Sequence, residues 1–242
     1  SLTWIRSGIS IGCHSGKRSL TRISLPLAIW GEGYGEFLDR WLDGVHGLNR
    51  QPDEIVLVTD EQNKGLHNLK TDIPIQTHWL KPKDYRLWDY AIRQSTGDWI
   101  AICNVDDVFL PAALDTIDQA DREGYNLLID SLVVKQTGHV WRGYWDAGMI
   151  PHRFTMPGAE PMRKDLYLEA GGFDYNFQYP DWALMVKAVA KGIVRPFNSP
   201  TERIIFDTGA DRLTMSGGQQ NPSVKARGSA QVHELAKDLG LL

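Results

Sequence analysis

Cysteine is scarce in this chain: there are two, Cys13 and Cys103, in 242 residues. Two thiols make no disulfide framework, and Cys103 sits inside an apolar run, which points to a reducing compartment. Long hydrophobic runs are missing as well. No stretch approaches the ~20 apolar residues that a membrane-spanning helix needs, so no integral membrane segment is expected. No secretory signal pattern opens the sequence, and the expectation is a soluble, cytoplasmic protein. Basic excess is also absent. The formal net charge is −4, and no Lys/Arg stripe stands out, so no nucleic-acid partner is expected. No internal repeat is visible. Hydrophobic residues at 42% and charged residues at 23% are ordinary for a globular chain of this length, which can bury a substantial core.

Tryptophan, by contrast, is abundant: nine are present, and Trp30, Trp88, Trp141, Trp145 and Trp182 lie among polar neighbours. Such rings suit stacking on a sugar or base, or they pack in a core. Apolar periodicity gives an alternation of strands and helices. Strands are expected at Leu25–Trp30, Glu54–Thr59, Ile73–Leu80, Trp99–Cys103 and Asn126–Lys135. Helices are expected at 37–48, Tyr85–Ser95, Pro111–Glu123, Arg163–Ala170 and Trp182–Lys191. Strands alternating with helices mean an α/β chain with a mostly parallel central sheet covered on both faces. From Gly138 to Pro161 the pattern dissolves into Gly, Pro, Trp and His, and a loop that long in a compact domain is usually functional. Thr208–Gly228, rich in Gly, Ser, Gln and Asn, reads as flexible.

The most informative segment is Trp99-Ile-Ala-Ile-Cys-Asn104-Val-Asp106-Asp107. Two carboxylates and an amide crowd the C-terminal end of a buried strand, the edge at which open α/β sheets bind ligands. They repel one another unless a cation sits among them, and hard divalent cations take such oxygen donors, often shared with substrate phosphates. Asp is also favoured in a turn before a helix, so this segment alone does not decide. A second constellation is Gly171-Gly-Phe-Asp174, followed by Tyr179-Pro-Asp181-Trp182 at a helix start. The glycines permit a tight backbone approach. Asp181 is either a capping residue worth about 1 kcal/mol or a general base whose pKa burial has raised.

Three weaker signals complete the reading. Gly31-Glu-Gly33-Tyr-Gly35 between strand and helix imitates a dinucleotide fingerprint, but the third glycine is due where Glu36 stands. A carboxylate there would repel a pyrophosphate. Asp60, at the end of the second strand, can accept hydrogen bonds from a base or ribose, or simply turn the chain. Lys83 and Arg86 could meet phosphates, and Arg86 could instead pair with Asp89 one helical turn on.

These constellations, in this order and separation, resemble the family 2 glycosyltransferases of the GT-A fold, over roughly Leu25 to Ile205. The matching pieces are Val56-Leu-Val-Thr-Asp60, Asp89-Tyr-Ala91 with Gly97-Asp98, Asn104-Val-Asp106-Asp107 with Pro111, Arg163, and Gly171–Asp174 with Pro180-Asp181-Trp182. The resemblance implies a Rossmann-like three-layer sandwich and an inverting, metal-dependent, single sugar addition from a nucleotide-diphosphate donor, with UDP the expected nucleotide. It implies donor contacts from Trp30, Asp60, Arg86, Asp89, Asn104 and Asp106. Mn²⁺ or Mg²⁺ would lie on Asp106 and Asp107, with base catalysis by Asp181 and acceptor contacts at Gly171, Gly172 and Trp182. It divides the chain into an N-terminal extension (1–22), a transferase domain (23–207, nucleotide-binding half 23–124, acceptor half 125–207) and a flexible tail (208–242) with room for a short helix. The acceptor, whether glycan, lipid-linked sugar, protein side chain or small molecule, is left open. Trp141, Trp145 and His152 are candidates to touch it. Three departures from the family pattern matter: Asn104 replaces the usual first Asp, Pro180 the usual Glu, and Thr59 the first acidic residue of the base-binding pair. They keep a catalytically degenerate nucleotide- or glycan-binding module as the alternative, with an NAD-binding oxidoreductase behind it.

Overall fold

The computed structural model describes residues 20–31, 33–60, 63, 69–80, 87–156, 158, 160–207 and 222–242. The first strand, β1 (Ile23–Ile29), is buried along its whole length. That continuous burial is what a parallel strand covered on both faces requires. A short 3₁₀ turn (Tyr34–Phe37) leads into α1 (Leu38–His46), and β2 (Glu54–Thr59) is again fully buried. β3 (Ile75–Trp79), α2 (Leu87–Gln94) and β4 (Trp99–Ile100) complete the first half. Beyond it come β5 (Val108–Phe109), α3 (Ile117–Arg122), β6 (Leu127–Val134), β7 (Val140–Arg142), β8 (Met162–Arg163), α4 (Lys164–Ala170), α5 (Pro180–Ala190), β9 (Pro196–Phe206) and α6 (Pro222–Asp238).

Among the described residues these strands form one sheet in the order β3-β2-β1-β4-β8-β6-β9-β5, with β7 on the edge of β6. β3, β2, β1 and β4 are mutually parallel, and β6 and β9 are parallel along most of their length. The antiparallel pairs, β4–β8, β6–β8, β6–β7 and β5–β9, are short. The architecture is the expected α/β one of GT-A type, with a mostly parallel central sheet. One face of β1 packs Leu25, Leu27 and Ile29 against Trp41 and Val45 of α1 and Ile117 of α3. The other packs Ala28, with Val56 and Val58 of β2, on Leu87 and Ala91 of α2. A third cluster joins Ile100, Ile102 and Ile129 to α4, α5 and α6.

Four differences from the expected elements have physical causes. The strand expected at Trp99–Cys103 keeps ladder pairing only at Trp99–Ile100. Beyond it side chains take over the backbone carbonyls: the Arg203 guanidinium donates to Ile102 O, and Trp41 Nε1 donates to Cys103 O at 3.1 Å. The expected helix from Pro111 begins only at Ile117, because 110–117 is a run of i→i−3 turns (Ala113 N to Leu110 O, 3.0 Å; Ile117 N to Leu114 O, 3.2 Å). β9 was not expected at all: Pro196 and Pro200 interrupt its pattern, and the ladder to β6 has a bulge between Ile129 and Ser131 where Pro200 cannot donate. Finally, 222–228, within the segment read as flexible, belongs to the 17-residue helix α6. α6 buries Val232 and Ala236, accepts Gln178 N on Gln231 Oε1 at 3.1 Å, and sets the His233 ring edge-on to Trp182 at 5.8 Å.

The double glycine ends α4. Gly171 and Gly172 both have positive φ (103° and 74°), closing the helix through Gly171 N to Leu168 O and Gly172 N to Tyr167 O. A Cβ on Gly172 would stand 2.6 Å from Asp89 Oδ1 and 2.9 Å from Arg93 Nη2. Both strain and overlap oppose any side chain there. Gly172→Ala is expected to lower the unfolding free energy by about 2 kcal/mol or more, read as a lower urea midpoint with an unchanged slope. An unaltered midpoint would mean that α2 and the α4 turn are not rigidly packed.

Candidate functional site

The C-terminal ends of the parallel strands form one edge. In register, Ile29 pairs with Thr59 and Thr59 with Trp79, so Trp30 and Asp60 emerge side by side. Trp30 is 37% exposed, and Trp79, at the end of β3, is 40% exposed. Asp60 is buried, and its carboxylate joins two turns: Oδ2 accepts Gly31 N at 2.8 Å, while Oδ1 accepts Asn63 Nδ2 at 2.7 Å and Asn63 N at 3.2 Å. The N–H of Gly31 is thereby spent on Asp60. Glu36 sits in the 3₁₀ turn that follows, where its carboxylate would disfavour a phosphate.

The turn Asn104–Asp107 continues the same edge. Asp107 N donates to Asn104 O at 2.9 Å. The Asp107 carboxylate, 1% exposed, accepts Asp207 N on Oδ1 at 3.0 Å and Asn104 Nδ2 on Oδ2 at 3.1 Å. Burial, then the neighbouring charge of Asp106, push the Asp107 carboxyl up to about 7, against the opposing pull of those two donors and of Arg203. The Asp106 main-chain carbonyl accepts a bond from Arg40 Nη2. Asp207, which follows β9, pairs with Arg40 at 3.2 Å and Lys135 at 2.8 Å and accepts Gln136 Nε2 at 2.7 Å. Sequence reasoning missed Asp207, Arg40 and Lys135. The available signal was Ile204-Ile-Phe-Asp207, an apolar run ending in Asp just as Val56–Asp60 does. Cys103, one residue before the turn, is buried, and burial lifts its thiol well above the ordinary range, so it is inert.

Asp181 stands in the first turn of α5, which Pro180 opens. Its Oδ1 accepts Trp182 N at 2.9 Å. The side chain borders a narrow crevice with Phe154, Met156, Glu160, Met162 and Phe173, and this apolar burial raises its pKa, opposed by the backbone N–H groups. Trp182 itself is 5% exposed: Nε1 donates to Ile150 O at 2.6 Å, and its ring meets Phe154, Tyr179 and His233. Its ring therefore anchors the 143–156 loop to α5. Asp89 bonds Arg93 Nε at 2.7 Å and accepts Tyr167 Oη at 2.8 Å, tying α2 to the double-glycine turn. The open side of Gly172 faces that pair, while a Cβ on Gly171 would meet nothing within 4 Å. Arg163 lies at the opposite end of β4, paired with Asp121 and Asp165. Arg86 and Lys83 lie outside the described residues. In the second half of the chain, Trp141 is exposed on β7, and Tyr144 is exposed with Arg153 over its ring at 5.9 Å. Among the described residues, no group of three or more His, Cys, Asp or Glu is poised to hold a metal, and no helix is long and apolar enough to cross a membrane.

No protein-family model matches the chain, and no curated protein matches it in sequence. Solved structures do match in fold. S. aureus TarS 1-349 in complex with UDP-GlcNAc superposes with a TM-score of 0.65 at 12% identity, over 90% of this chain and 71% of that one. A second structure of TarS 1-349 gives 0.57 at 13% identity, over 77% of this chain and 60% of that one, so the chain spans less than two thirds of that protein. The mannosyltransferase PcManGT from Pyrobaculum calidifontis, in complex with GDP-Man and Mn²⁺, gives 0.55 at 15% identity, over 78% and 57%. The fold is one that these nucleotide-sugar-bound proteins share.

Proposed function

We propose that this chain is a glycosyltransferase that moves one sugar from a nucleotide-diphosphate donor, UDP being the expected nucleotide, to an acceptor hydroxyl with inversion. The observation that carries the reading is the juxtaposition on one sheet edge of Trp30, Asp60 and the Asn104–Asp107 turn, in a fold shared with proteins that hold UDP-GlcNAc or GDP-Man. Trp30 and Asp60 would receive the nucleoside, with Asn104 and Asp106 toward the ribose and diphosphate. Asp89 would act at one remove, by holding the α4 turn. Asp181, in an apolar crevice that favours its taking up a proton, suits a base for the acceptor hydroxyl.

The residues present fit a divalent cation. Burial first, and then the charge of Asp106, push the Asp107 carboxyl up, and a hard cation held by these two residues would offset both costs. Two carboxylates suffice when the remaining oxygens come from water and substrate phosphates, as they do for Mg²⁺. Such a cation would neutralise the charge that develops on the departing diphosphate. A binding module that transfers nothing is the competing reading, with Asn104 and Pro180 in its favour; retention of Asp106, Asp107 and Asp181 weighs against it. Nothing at the glycine-rich run favours a dinucleotide, because its first N–H is already engaged by Asp60.

A panel of nucleotide sugars with Mn²⁺, followed by nucleotide release, tests the proposal. Turnover of one donor, even onto water, supports it, and binding of UDP with no release from any donor favours the module. Asp181→Asn is expected to bind donor as the parent does and lose transfer by on the order of 10²–10⁴-fold; unchanged turnover would remove Asp181 from the chemistry. Asp106→Ala should abolish the Mn²⁺-dependent part of UDP binding, and calorimetry finding equal affinity would contradict that role. Asp107 carries a pH signature. Its carboxyl, ordinarily near 3.8, sits at about 7 in the folded chain, so the folded state holds more protons than the unfolded one between these values. Its contribution to stability is therefore present at low pH and lost as pH rises through that window. Without metal, Asp107→Asn should gain about 2–4 kcal/mol at pH 8 and show little change at pH 4, by urea denaturation in chelator. A variant less stable at pH 8 would refute the placement of that proton.

A further inference from the structure

Beneath the carboxylate turn lies a buried charged triad that the proposed chemistry does not use. Arg203 of β9 and Asp130 of β6 are 2% exposed, and Glu160, just before β8, is 1% exposed. Arg203 Nε donates to Asp130 Oδ2 at 2.8 Å and Nη2 reaches Glu160 Oε2 at 3.5 Å. Its third arm, Nη1, donates to the carbonyl of Ile102, two residues before Asn104. On the main chain, Arg203 O accepts Leu110 N at 2.8 Å, three residues beyond Asp107. One residue therefore grips both ends of the segment that carries Asn104, Asp106 and Asp107.

The charges of the triad close only with a proton. Asp130 Oδ1 and Glu160 Oε1 are buried and have no hydrogen-bond donor among the described residues. A proton shared between the two carboxyls satisfies both and leaves one negative charge against one guanidinium. Burial raises both carboxyls, and the charge of Asp130 raises Glu160 further. Glu160 also borders the crevice of Asp181. The triad thus reaches the carboxylate turn through Arg203 and borders the crevice of the candidate base through Glu160. Stability is a poor reason for it, since apolar residues of similar volume often replace a buried ion pair at no loss. What apolar residues cannot supply is a forked donor aimed at a strand-end carbonyl.

We propose that Arg203 is a positioning residue: with Asp130 and Glu160 it clamps the 102–110 segment against the Asp181 crevice, so that donor and base are set by one buried fork. This rests on the glycosyl-transfer reading for its catalytic consequence, while the clamp itself can be read without turnover. The test uses the parent chain, Arg203→Lys, and a neutral triple variant, Arg203→Met with Asp130→Asn and Glu160→Gln, which removes every charge of the triad. Thermal midpoint, UDP–Mn²⁺ affinity, donor-hydrolysis kcat and KM, and amide exchange at Asp107 and Leu110 are measured on each. The triple variant is expected to fold with a midpoint near the parent's. Its UDP–Mn²⁺ affinity and kcat should each fall at least tenfold, with faster exchange at both amides. Lys, which can make one of the three bonds, should recover part of the loss. Parent-like affinity, kcat and exchange in the triple variant would overturn the clamp. If the triple does not fold, Arg203→Lys decides: a lowered midpoint with parent-like affinity and exchange makes Arg203 merely structural. A parent chain that neither binds nor turns over any donor sinks the transfer reading alone, because the two amides still report whether the clamp exists.

Discussion

The self-energy of one carboxylate organises this molecule. Asp107 is buried beside the charge of Asp106, and a carboxylate there is costly unless its surroundings compensate. The compensation comes from four directions: the backbone N–H of Asp207 just after β9, an amide from Asn104, the positive charge of Arg203, and a proton. Each source fixes a different part of the chain. β9 must end beside the turn for Asp207 N to reach Asp107, and β5 pairs with β9 to bring it there. The sheet's second half is therefore built around the same point as its first.

From that point the constraints spread outward through side chains that replace backbone ladders. The ladder β1–β4 stops at Ile100, and beyond it Arg203 and Trp41 take the carbonyls of Ile102 and Cys103. Trp41 is fully buried in the α1 face of the core, so helix packing and turn geometry are linked through one indole. Arg40, its neighbour on α1, spans Asp106 O and the Asp207 carboxylate. On the far side, α6 braces α5 through Val232 and Gln231, and Trp182 braces the 143–156 loop. The candidate base thus stands on a helix packed from two sides, as a site that depends on precise placement requires.

What was legible in the sequence follows from how local each signal is. β2 is recovered to the residue because Glu54–Thr59 is a short apolar run bounded by Pro52 and Asp60. The Asn104–Asp107 turn and the α5 start were visible because their chemistry is concentrated in four adjacent residues. β9 escaped because its pairing partner lies some seventy positions upstream and its prolines mimic a loop; a bulge absorbs Pro200, which no local rule predicts. α6 was foreseen only as a short helix within the 208–242 tail, because its first turns follow a Gly/Ser/Asn-rich run and contact with α5 is what reveals its buried stripe. Arg203, Asp130 and Glu160 look like ordinary charged residues in sequence. Their meaning comes wholly from tertiary burial, which brings three distant segments to one fork. Asp60 and Asp89 were singled out for contact with a ligand, and the structure gives each an internal task as well, joining turns in one case and helices in the other.

The departures from the family pattern find their account in the same electrostatics. An Asp at position 104 would place a third carboxylate beside Asp106 and Asp107. Asn104 instead donates an amide hydrogen to Asp107 Oδ2, lowering the cost of its ionised form. The substitution thus removes one negative charge and adds one donor at the most crowded point of the turn. Pro180 acts in the same direction at the other end of the site. It opens α5 with a pre-set φ and no surplus N–H, and it puts no second carboxylate beside Asp181, whose proton affinity then rests on burial in the crevice. Both positions are integrated into the fold: Asn104 forms a bond, and Pro180 is the first residue of α5. On the transfer reading proposed above, the two positions lower the negative charge around Asp107 and Asp181 without removing either carboxyl.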